Sequence, residues 1–110
     1  MGTPSELLQG TVEILVLRTL AWEPMHGYAI TRFLRSQSAD EISVDGAALY
    51  QALHRMERKR LVRSRWGTSD TGRKVRIYEL SAAGRKHLAA TSDAWHRYSK
   101  AVARILSPAR

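Results

Sequence analysis

The sequence predicts a mainly α domain with one small β-hairpin, in the order helix, helix, helix, strand, turn, strand, helix. Three observations predict it. Apolar residues follow a helical period to about residue 59, alternate between residues 62 and 80, and return to a heptad spacing near the C-terminus. Pro24, Gly27 and the polar run "SQSADEIS" divide the first half into three helices. Positive charge is concentrated where the third helix meets the hairpin. Two short helices joined by a turn and followed by a basic hairpin form a winged helix-turn-helix, here extended by a C-terminal helix.

The first helix opens with helix-start residues: Thr3 as a cap, Pro4 for the first helical position and Glu6 where a capping box needs it. Leu7, Leu8, Ile14, Leu15, Leu17 and Leu20 follow at mixed spacings. They are too many for one narrow stripe, so burial on more than one side is expected, including against a second subunit. Gly10 weakens the segment, and an ordered start after it fits the pattern.

"EPMHGY" reads as a turn, and Ile30, Phe33 and Leu34 mark a second helix over about residues 27–36. Asp45 or Ser43 can cap the third helix, which runs to about Lys59. In "LVRSRWG" the period becomes two, "TSDTGR" is a turn by composition, and "KVRIYELS" returns as a β-rich strand. Ser81 can cap the last helix over about residues 82–106.

At 110 residues the chain is one small unit, and a 44% hydrophobic share is enough for a folded core. Residues 1–80 are expected to form the winged domain and residues 81–110 a dimerisation helix within the same compact unit. The formal charge is +8, but its distribution says more. Residues 1–54 hold three basic and six acidic residues, whereas residues 55–76 hold nine basic against two acidic. A basic patch on a folded domain calls for an acidic partner, nucleic acid foremost. With no cysteine and no apolar run longer than "ILVL", neither disulfides nor a membrane span are expected, and a cytoplasmic location fits.

On a helical wheel, Leu49, Leu53 and Met56 of the third helix face one way. Ala47, Gln51, His54, Arg55 and Arg58 face the other, with Tyr50 on the flank. Small residues permit close approach to a major groove, and Gln or Arg can read base edges bidentately. Gly46 brings the helix start near a phosphate. A solvated amphipathic helix is the competing reading of this face. Continuation of the charge into the hairpin favours DNA, with Arg73 and Lys74 flanking the tip as backbone contacts. Arg63, Arg65 and Arg76 cannot all meet one ligand, because strand faces alternate and some must point away. RNA is disfavoured, since the strands carry no array of aromatics for stacking bases. A winged-helix module that docks an acidic protein remains the alternative.

With "EPMHGYAI", "ALYQALHRME" and "RWGTSDTGRKVRIYELSAAG" in order, the chain resembles the PadR family of transcriptional regulators, in a short form with one C-terminal helix. Pro24, His26, Gly27, Tyr28 and Ile30 match the first family motif. Leu49, Tyr50, Leu53, Arg55 and Glu57 match the second, and Gly72, Arg73, Tyr78, Leu80 and Gly84 the third. Two departures stand out. Ala47 replaces a family glycine, with Gly46 one residue earlier, and Arg60 stands where a helix-ending glycine is usual, so a left-handed cap there would be strained. The resemblance implies a homodimeric repressor of a palindromic operator, joined through its first and last helices. Some such regulators are released by small aromatic molecules.

The last helix supports dimerisation independently. Leu88, Thr91, Trp95, Tyr98, Val102 and Ile105 form a heptad stripe, to which Leu8 and Leu15 of the first helix would add. The alternative is that this helix folds back on its own domain. In the multidrug-sensing branch of the family a tryptophan matching Trp95 stacks flat ligands, and here Leu8 and Leu15 would line the same space. Trp95 as plain interface packing is the competing reading. His26, His54, His87 and His96 lack metal-binding spacing, and no nucleophile motif or phosphate loop is present. Neither a cofactor nor enzyme activity is expected.

Overall fold

The computed structural model describes residues 11–108. Among these are four helices, α1 (Val12–Trp22), α2 (Gly27–Gln37), α3 (Gly46–Arg58) and α4 (Ala82–Leu106). Three strands, β1 (Met25–His26), β2 (Val62–Thr68) and β3 (Lys74–Leu80), form one antiparallel sheet in the order β1-β3-β2. The winged helix-turn-helix is therefore realised, with the hairpin as wing. The expected cap at Thr3, with Pro4, Glu6, Leu7 and Leu8, lies outside the described residues.

"EPMHGY" is more than a turn, and the expectation is corrected here. Met25 and His26 pair with Tyr78 and Ile77 as a third strand. Two residues are too few to show a period, so only the partner β3 makes them a strand. His26 also ends that strand as the cap of α2, its Nδ1 accepting the Ala29 N–H at 3.4 Å.

The core lies where α1, α2 and α3 meet the base of the wing. Val16, Leu17, Leu20, Ile30, Leu49, Leu53, Met56 and Tyr78 are fully or almost fully buried. In α1, Val16, Leu17, Thr19 and Leu20 are all buried, so more than one side of the helix is covered, as its crowded apolar spacing predicts. Thr19 avoids an unmet hydroxyl by donating to the Leu15 carbonyl at 2.8 Å.

Arg60 takes the left-handed conformation that the sequence flags, with φ 64°. Around it the Leu61 N–H donates to the Met56 carbonyl at 2.9 Å and the Arg60 N–H to the Glu57 carbonyl at 3.0 Å. Those two bonds close α3 in a Schellman motif, and burial of Leu61 near Met56 completes it. The strain at Arg60, of order 1 kcal/mol, is offset by this closure. Ser81 then binds the joint from α4, its hydroxyl contacting the Arg60 and Leu61 carbonyls.

Candidate nucleic-acid interface

α3 begins at an Asp45 cap, whose Oδ1 accepts the Ala48 N–H at 2.9 Å. Its buried side is Leu49, Ala52, Leu53 and Met56. Ala47, Gln51, His54 and Arg58 are exposed on the other side, so the wheel assignment of these residues holds. Tyr50 lies on the flank against Gly27: a Cβ on Gly27 would come within 3.1 Å of its hydroxyl. Gly46 fits its expected role less well. Its surroundings are open, and the Asp45 carboxylate already occupies the N-terminal end of the helix. A phosphate there would meet a negative charge, which offsets the attraction of the helix dipole.

Arg55 is placed differently from the expectation. Its Nε donates to Glu13 Oε2 of α1 at 2.8 Å, and Lys59 approaches the same carboxylate at 3.6 Å. Burial works against charge on Glu13, but the Arg55 hydrogen bond and the positive charges of Lys59 and Arg55 hold its pKa below the usual value. The pair ties α3 to α1. Sequence reasoning missed it because the partners are 42 residues apart.

The two faces of the wing have different jobs. On one, Arg63 and Arg65 share Glu79 at 3.5 and 3.6 Å. On the other, facing α3, the Ser64 hydroxyl donates to Glu57 Oε2 at 2.7 Å and accepts from Arg76 Nε at 3.1 Å. Trp66 lies beside them with the Lys74 ammonium 4.9 Å and the Arg76 guanidinium 5.2 Å from its ring centre. The wing tip closes at Gly72, φ 82°, whose N–H donates to the Ser69 carbonyl at 2.9 Å, and so presents Arg73 and Lys74.

Between α3 and this face of the wing runs a groove of about 930 Å³. Tyr50 and His54 line one side, Trp66, Arg73, Lys74 and Arg76 the other. Tyr28 and Arg32 of α2 complete it, the Arg32 guanidinium 5.0 Å from the Tyr28 ring centre. Arg32 was not singled out in the sequence, and Tyr28 stood there only as a match to the first family motif, because exposed residues of a short helix give no signal beyond their polarity. Among the described residues no ion pair engages Arg58, Arg73, Lys74 or Arg76.

A sequence profile of the transcriptional regulator PadR-like family matches residues 16–90. This chain belongs to that family. PadR-like proteins are transcriptional regulators rather than enzymes, and they bind DNA. A transcriptional regulator from Clostridium thermocellum shares the fold with a TM-score of 0.83 at 21% identity, over 94% of this chain and 100% of that one. A PadR family transcriptional regulator from Eggerthella lenta reaches 28% identity and a TM-score of 0.77, over 94% of this chain and 88% of that one. An uncharacterized protein of Lysinibacillus sphaericus is 22% identical over 83% of this chain and 84% of its own length.

In this PadR-like chain the C-terminal stripe divides in two. Leu88, expected at a dimer seam, is corrected to the core of its own domain, where it is 9% exposed. Beyond it Trp95, Tyr98 and Ile105 are exposed and Val102 half-buried. The Trp95 and Tyr98 rings stand 5.9 Å apart. The 25 residues of α4 extend about 37 Å, further than the small body they pack on can cover.

Trp95 also borders a cavity of about 630 Å³ between α1, α3 and α4, with Ile14, Leu17, Gln51 and Arg55. Leu15 does not share it. It lines a separate groove with Trp22 and Phe33, because consecutive residues of a helix point about 100° apart. Leu8 lies outside the described residues. No described helix is long and apolar enough to cross a membrane.

Proposed function

We propose that this PadR-like regulator is a homodimeric repressor that reads a palindromic operator. The single observation behind this is the continuous groove from the exposed face of α3 to the unpaired cations of the wing. Ala47, Gln51, His54 and Arg58 meet base edges in the major groove, with Tyr50 on the flank. Arg73 and Lys74 hold the backbone, and Arg55 acts by fixing α3 against α1. Gly46 leaves room at the helix start. The exposed half of the α4 stripe supports pairing, with residues 81–110 as the dimerisation element beside a 1–80 winged domain. In the dimer the two α3 helices sit about 34 Å apart, one turn of DNA.

A gel shift on the upstream DNA of its own gene tests this reading. Gln51→Ala should lose sequence preference at a cost of about 1–3 kcal/mol for the correct site. Arg73→Ala should weaken all duplexes alike. If a dimer meets roughly 6–10 phosphates, affinity falls about 10³–10⁵-fold between about 50 and 200 mM salt. Binding that ignores salt, or no specific shift on any upstream DNA, counts against the reading and favours an acidic protein partner. In a reporter strain, deletion of the gene should raise transcription from the bound promoter, and a fall would make the regulator an activator.

The cavity beside Trp95 supports a further component, release by a flat aromatic effector. A planar dye should quench tryptophan fluorescence in the wild type and do so much less in Trp95→Ala. Equal quenching in both would leave Trp95 a packing residue.

A further inference from the structure

Trp66 is 58% exposed on a two-stranded wing, where its ring covers no core. Its neighbours are instead two cations. Lys74 and Arg76 lie two residues apart on β3, so they share one face and repel each other. Both sit within cation–π range of the same ring, at 4.9 and 5.2 Å. Arg76 is held a second time by Ser64, which in turn is bonded to Glu57 on α3. A chain of contacts therefore runs from the reading helix through Glu57, Ser64 and Arg76 to Trp66 and Lys74.

We propose that Trp66 is a positioning residue for DNA binding, its ring gathering Lys74 and Arg76 into a preformed phosphate clamp set at a fixed distance from α3. The inference rests on the DNA-binding reading above and extends it to a residue that reads no base. A flexible lysine loses rotamer freedom when it closes on a phosphate, and a ring that already restrains it reduces that loss. The negative π-face also keeps two positive charges together before the phosphate arrives. Because Arg76 is bonded to Ser64 on the same sheet face, the clamp cannot drift relative to the base-reading residues. Backbone grip and base reading then arrive in register.

The probe is a random-sequence DNA duplex, followed by fluorescence anisotropy across a salt series, so no knowledge of the operator is needed. Trp66→Phe keeps a π-face and should bind within about twofold of wild type. Trp66→Leu keeps bulk without the π-face and should weaken binding roughly three- to tenfold, with a shallower salt dependence. Its thermal midpoint should match wild type, since the ring is exposed. In a Lys74→Gln, Arg76→Gln background, Trp66→Leu should have no further effect. Wild-type affinity in Trp66→Leu would overturn the proposal. So would an equal loss in both backgrounds, which makes Trp66 an independent DNA contact. A wild-type protein that binds no duplex would overturn the DNA-binding reading itself, and this role with it.

Discussion

Gly84→Ala lowers stability by about 3 kcal/mol or more, because the methyl group it adds would run into backbone rather than into a side chain that can move. Gly84 is buried in the first turn of α4, and its N–H donates to the capping Ser81 hydroxyl at 3.0 Å. A Cβ there would stand 2.0 Å from the Leu61 carbonyl oxygen and 3.0 Å from both its carbon and a Leu80 methyl. The obstacle is backbone, and the backbone is pinned. Leu61 closes α3 through its own N–H, while its carbonyl accepts both the Ser81 N–H at 3.0 Å and the Ser81 hydroxyl. Relief requires lifting α4 off the joint between α3 and the wing. The measurement is a thermal melt, where roughly 4–8 °C per kcal/mol predicts a fall of more than about 12 °C. Gly46→Ala is the control, because its added Cβ meets nothing within 4 Å. A Gly84→Ala midpoint equal to wild type would mean that the joint yields more readily than its hydrogen bonds suggest.

For the homodimer proposed above, Tyr98→Glu combined with Ile105→Glu is expected to give a monomer and to weaken binding to a two-half-site DNA by at least about 100-fold. A wild type that is itself monomeric would overturn that proposal. Tyr98 and Ile105 are 62% and 81% exposed, so in a single chain they touch little and their loss leaves the core intact. Across a two-fold seam each substitution places a carboxylate against its own copy or against apolar neighbours, and a desolvated unpaired charge costs several kcal/mol. Light scattering gives the assembly state, and anisotropy with one-half-site and two-half-site duplexes gives the rest. Affinity for a single half-site should stay near that of wild type, since α3 and the wing are untouched. A variant that remains dimeric would move the seam away from this part of α4.

Much of the fold was legible in the residues because it rests on local rules. The change from helical to alternating spacing after Lys59 located the hairpin and Ser81 announced α4, whereas Arg60 stood out only against the family pattern and its left-handed backbone was decided by the fold. The third strand was not legible. Met25 and His26 become β only through their pairing with β3, some fifty residues later in the chain. The same limit divided the arginines. By sequence alone Arg55 belongs with Arg58 on the outer face, and only the approach of α1 turns it toward Glu13. Arg63 and Arg65 separate from Arg76 only once the wing is folded and Glu79 lies between the first two.

The sequence by itself determined the order of the four helices and the hairpin and the position of the basic patch, since periodicity, capping and charge count depend on neighbours along the chain, while its motifs carried the resemblance to the family. The tertiary structure decided which cations remain free. That choice turns on carboxylates brought in from distant segments, and an ion pair forms by distance in space, which the order of residues does not contain. It left Arg58, Arg73, Lys74 and Arg76 without an ion-pair partner among the described residues, and it set Trp66 beside two of them.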